Sequence, residues 1–70
     1  MLVFLREDDG STSEYLYEGT TGFIREVVLT NRSTGLEMTG RMYFEESYIL
    51  FIDNDTWHEY EVTAIMPEGF

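Results

Sequence analysis

Leu36-Glu37-Met38-Thr39-Gly40-Arg41-Met42-Tyr43-Phe44-Glu45, then Tyr48-Ile49-Leu50-Phe51-Ile52-Asp53 and Trp57-His58-Glu59-Tyr60-Glu61-Val62-Thr63-Ala64-Ile65-Met66, decide the fold. β-Branched and aromatic residues crowd these runs, and Asn, Asp, Ser and Glu fill the breaks between them, which is the signature of strands joined by turns. Setting Tyr43 opposite Ile49 and Phe51 opposite Glu59 gathers Leu36, Met38, Met42, Phe44, Tyr48, Leu50, Ile52, Tyr60, Val62, Ala64 and Met66 on one face. Because side chains alternate with period two, a one-residue slip would scramble that separation. In this register Leu50 is a core residue, and truncating it to alanine should cost about 2–5 kcal/mol.

Working outward, Phe23–Thr30 pairs with the longest run and adds Phe23, Val27 and Leu29 to the apolar face, with Arg25 its one awkward member. Leu2–Arg6 and a short Tyr15–Glu18 supply two more strands, with Glu7–Glu14 between them as a loop. Asn31-Arg32-Ser33-Thr34-Gly35 suits a hairpin loop with Gly35 left-handed, and Asp53-Asn54-Asp55-Thr56 suits a tight turn. Gly40 marks a bend or bulge, and Pro67 ends the last strand because it cannot donate to a ladder. The spacing predicts an all-β fold, a strongly bent antiparallel sheet or a small half-open barrel of five to six strands with meander connections. Residues 1–70 form a single domain, with no repeat and no linker.

The composition is that of a folded chain, at 43% hydrophobic and 16% aromatic residues, well above an acidic disordered tail. A core this small supplies only about 3–5 kcal/mol, and without cysteine no disulfide can reinforce it. The apolar start Met1–Leu5 meets Glu7-Asp8-Asp9 too soon for a signal peptide, and no run nears the roughly 20 apolar residues of a membrane span. A cytoplasmic protein without a membrane partner is expected. The sequons at Asn31 and Asn54 lack a secretory context.

Fourteen acidic residues stand against four arginines and no lysine, a formal charge of −10. Solubility of a small domain needs a magnitude of only about 2–8, and the excess adds self-repulsion. The second face of the sheet holds Glu26, Glu37, Glu45, Asp53, Glu59 and Glu61, interrupted by Arg41, Ile24, Val28, Tyr43, Ile49, Phe51 and Trp57. Same-face residues recur about every 6.6 Å along a strand and strands lie about 4.8 Å apart, a spacing of negative charge comparable to nucleic-acid phosphates. Glutamates on the wet face of a sheet need no partner, yet an ordinary solvated face mixes both signs, and here lysine is missing. If the amino-terminal hairpin closes a barrel, Ile49, Phe51 and Trp57 become core.

Enzyme signals dissolve on inspection. Ile49–Asp55 superficially resembles the haloacid-dehalogenase opening, an apolar strand followed by Asp-x-Asp, but Trp57 stands where that family has Thr or Val, and 70 residues cannot hold its α/β domain. The segment reads as a β-turn. Asp8–Glu14 and Asp53–Asp55 lack the spacing of an EF-hand loop. His58 is the only histidine and reads as a hydrogen-bonded residue facing the apolar side near Ile52, with no metal site around it. None of Ser11, Ser13, Ser33 or Ser47 sits in a nucleophile elbow, and no phosphate loop appears. No catalysis and no cofactor are expected. Direct nucleic-acid binding is disfavoured because the field repels phosphates.

Two functions remain. One is an acidic interaction protein that blocks a basic nucleic-acid-binding surface of a partner enzyme, as nucleic-acid mimics and small phage-borne inhibitors of host defence do; this is an analogy of size and charge. Its partner-binding residues would be Glu26, Glu37, Glu45, Asp53, Glu59 and Glu61, with Trp57 or Phe51 as anchor. The alternative is a structural or accessory module, a homo-oligomer pairing through the edges of Leu2–Arg6 or Trp57–Met66.

Overall fold

The computed structural model describes residues 1–68. It contains six strands, β1 (Leu2–Arg6), β2 (Thr12–Thr20), β3 (Glu26–Asn31), β4 (Glu37–Phe44), β5 (Ile49–Asp53) and β6 (Glu59–Met66), and no helix among the described residues. Each strand is antiparallel to the next, and β6 returns to β1, so the meander closes into a barrel. No helix among the described residues is long and apolar enough to cross a membrane.

Closure changes what the edges can do. β1 pairs with both β2 and β6, and β6 with both β1 and β5. Self-association by edge pairing through Leu2–Arg6 or Trp57–Met66 therefore has no strand with a wholly free edge to use, although β5 covers only Glu59–Glu61 of β6.

The barrel is filled by Val3, Leu5, Tyr15, Val27, Leu29, Met42, Phe51 and Val62, with Tyr17, Met38, Ile49, Tyr60 and Ile65 packed against them. Phe51, Leu5, Leu29 and Val3 are fully buried, each worth about 1.5–3 kcal/mol over exposure. Burial also holds the hydroxyls of Tyr15 and Tyr60 above the ordinary tyrosine pKa.

The observed register departs from the expected one by one residue on either side of β5. Tyr43 faces Leu50 and Phe51 faces Tyr60. The cause is the tight β4–β5 connection, in which the Glu45 N–H donates to the Tyr48 carbonyl at 2.9 Å. The two slips cancel across β5, so β4 and β6 keep their faces around Met42 and Val62 while β5 turns over. Ile49 and Phe51 point inward, and Leu50 and Ile52 lie on the outer wall. Leu50 is accordingly not a core residue.

Other corrections follow from bulges and loops. Leu5 pairs with Val62 but Phe4 pairs with Ala64, leaving Thr63 as an extra residue on β6. That bulge reverses the alternation: Val62 and Ile65 face the core, and Met66 is exposed. β2 is longer than Tyr15–Glu18 and carries its own irregularity between Tyr17 and Gly19. β3 starts only at Glu26, so Phe23 lies in a loop, and Leu36, Phe44 and Tyr48 are exposed as well.

Gly40 proves to be a point of close approach. A Cβ there would lie 2.5 Å from the Phe51 Cζ and closer still to the Ile52 carbonyl oxygen. The Phe51 ring thus occupies the space a side chain on β4 would need.

Candidate protein-docking surface

Three of the hairpin loops share one construction. In Asn31–Leu36 the Asn31 N–H donates to the Leu36 carbonyl at 2.9 Å and Gly35, the last loop residue, has φ +75°. Asn31 Oδ1 accepts from the Ser33 and Thr34 N–H groups at 2.8 and 3.1 Å, which fixes the turn. In Thr21–Glu26 and Asp53–His58 the same closing bond forms at 3.4 and 3.0 Å. There the left-handed position is held by Arg25 and Trp57, both at φ +62°. Glycine occupies this region freely, whereas a bulky side chain is strained there by about 1–3 kcal/mol.

Both strained residues border the same stretch of outer wall. One groove is lined by Arg41, Tyr43, Ile52, Asp53, Asn54 and Trp57. A second is lined by Phe23, Ile24, Arg25, Arg41 and Tyr43. Arg41 and Tyr43 contribute to both, so the two form one strip. Trp57 is 81% exposed, Ile24 82% and Phe23 69%. The Arg25 guanidinium lies over the Tyr43 ring, 5.6 Å from its centroid.

Across the wall the register places Glu26, Arg41, Ile52 and Glu59 in one row. Tyr43, Leu50 and Glu61 form the next, and Glu61 pairs with Arg6 at 3.0 Å. Glu59 and Glu61 therefore come together beside the Trp57 groove. Glu45 joins Glu61, Glu46, Tyr48 and Arg6 around a further depression. Glu37 is exposed at the start of β4, opposite Thr30 and away from this cluster.

Three expected contacts are reassigned. Phe51 has no exposed surface and is core, so it cannot anchor a partner. Asp53 is only 9% exposed, and its Oδ1 accepts the Asp55 N–H at 2.7 Å, which makes it a turn-former. Glu26 accepts from Thr21 Oγ1 at 2.6 Å and from Asn54 Nδ2 at 2.8 Å, tying the two strained loops together. These hydrogen bonds hold its carboxyl below the ordinary glutamate range. Trp57 stays outside the barrel. His58 bonds Asp8 Oδ1 through Nε2 at 2.9 Å and meets the Tyr60 ring edge-on, pinning the β1–β2 loop.

The sequence reading missed Phe23, Ile24 and Arg25 as loop residues. The available signal was Gly22, which has φ +101° and opens the connection. Comparison of the chain with protein-family models, with curated proteins and with solved structures found no match.

Proposed function

We propose that the protein is a non-catalytic interaction protein that docks its acidic wall onto a basic surface of a partner, a cytoplasmic nucleic-acid-binding enzyme, and keeps that enzyme from its DNA or RNA. The observation that carries this reading is Trp57, an exposed indole held in strained backbone where the sister loop uses Gly35, with Glu59 and Glu61 on the adjacent rows. Strain of this kind persists at binding sites because the surrounding structure enforces it. Tryptophan is among the residue types enriched at the anchors of protein interfaces. The carboxylates of Glu59, Glu61 and Glu45, with Glu37 farther off, raise the encounter rate with a basic partner, while the indole holds the complex. The net charge of −10 supplies the long-range field.

Affinity capture at low and moderate salt tests the reading. One nucleic-acid enzyme should be retained at low salt, released as salt rises, and displaced by its own DNA or RNA. Trp57→Gly should abolish retention without loss of fold, and the pair Glu59→Gln and Glu61→Gln should flatten the salt dependence. Full retention by both variants would overturn the proposal.

A further inference from the structure

We propose that the strip formed by Phe23, Ile24, Arg25, Arg41, Tyr43 and Trp57 binds an acidic, apolar peptide segment of a partner protein: one carboxylate between the two guanidinium groups, with its apolar neighbour against the aromatic rings. The inference rests on the arginines; because the strip shares Trp57 with the proposed docking wall, an acidic segment and a basic surface occupy it in turn and not together.

The chain has four arginines among fourteen acids. Arg6 and Arg32 are committed to Glu61, Glu14 and Glu68. Arg25 and Arg41 have no carboxylate within 4.0 Å among the described residues. Two guanidinium groups without a carboxylate in contact thus lie at one strip, with Glu26, the acid beside Arg41, already bonded to Thr21 and Asn54. Arg25 packs over Tyr43, an arrangement that leaves the guanidinium edge open to a carboxylate. Asp53 also lines the strip and keeps its negative charge, with its Oδ1 held by the Asp55 N–H.

Charge complementarity selects the occupant. A polyanion would meet the two arginines only by crossing the repulsion of the remaining surface. A single carboxylate on an apolar segment gains the bidentate contact and buries Phe23, Ile24 and Trp57 at far lower electrostatic cost. The strands that carry the strip, β4 and β5, are each paired on both sides, so recognition there falls to these side chains.

Titration of the ¹⁵N-labelled protein with N-acetyl-Phe-Asp-amide tests the site by NMR. Saturable shifts are expected at the Trp57 indole N–H, at the Nε–H of Arg25 and Arg41 and at the backbone of residues 23–25 and 41–43, with affinity on the order of millimolar for so small a probe. N-acetyl-Phe-Asn-amide and adenosine monophosphate should leave these resonances in place. The double variant Arg25→Gln and Arg41→Gln should keep a folded spectrum elsewhere and lose the response at least tenfold. Equal shifts with the asparagine peptide would reduce the strip to a bare apolar patch, shifts with the nucleotide alone would make it a phosphate site, and absence of saturation would mean no site; each overturns the inference.

Discussion

Trp57 and Gly35 occupy the same position in two hairpin loops of one construction, each the last loop residue and each in left-handed backbone. Local physics asks for glycine at both. Trp57→Gly should therefore raise stability by about 1 kcal/mol by relieving the strain, even though glycine gives back some unfolded-state entropy. Urea denaturation reads this directly; a lower midpoint would show that the indole supports the fold and is not held against it.

Gly40 has the opposite requirement, set by space and not by backbone dihedrals. Gly40→Ala puts a methyl group against the Ile52 carbonyl and the Phe51 ring. A backbone oxygen cannot rotate away, so the cost should be about 3 kcal/mol or more. Adding Phe51→Leu should not rescue the variant. An unchanged denaturation midpoint would contradict the β4–β5 register.

The same register makes neighbouring residues on β5 unequal. Phe51→Ala should destabilise by about 3–5 kcal/mol, enough to unfold most of the population of so small a domain. Leu50→Ala, on the half-buried outer wall, should cost about 1 kcal/mol. Thermal or chemical unfolding of the two variants side by side would reveal a reversed order, and with it a wrong face for β5.

Glu26 links the two strained loops and leaves a signature in acid. Its folded pKa lies below the ordinary 4.5 because Thr21 and Asn54 donate to the ionised form. A depressed folded value means that its contribution is complete above the unfolded pKa and is lost as pH falls through the folded one. The stability of the native chain minus that of Glu26→Gln should accordingly shrink as pH drops below 4.5. A difference that stays constant through that window would mean the hydrogen bonds to Thr21 and Asn54 do not form in solution.

How much could be foreseen follows the reach of each signal. Strand existence was legible because alternation such as Leu36-Glu37-Met38-Thr39 or Tyr60-Glu61-Val62 is a local property. The face of β5 was not, because Ile49-Leu50-Phe51-Ile52 is apolar at every position and leaves its orientation to the length of the Glu45–Tyr48 connection. Closure by β1 also lay beyond local pattern, since it joins residues at opposite ends of the described chain. Of the candidate site, Trp57, Glu59, Glu61 and Glu45 were readable as outward-facing residues. Phe23 looked like the start of β3, and only the loop geometry exposes it.

The β1–β6 seam sets the order of assembly. Five of the six pairings are hairpins between strands adjacent in sequence, so each forms by closing a short loop. The seam must instead bring Leu2 to Met66 and Leu5 to Val62. The extra entropy of the longer closure grows slowly, by about 0.6 kcal/mol per doubling of length, yet it is repaid only after the intervening strands have curved far enough to meet. That topology favours local zipping ahead of the one non-local step. The last pairing to form is also the first whose loss creates two open ladders at once, so the kinetics of that seam govern how often a molecule is open to exchanging strands with a neighbour.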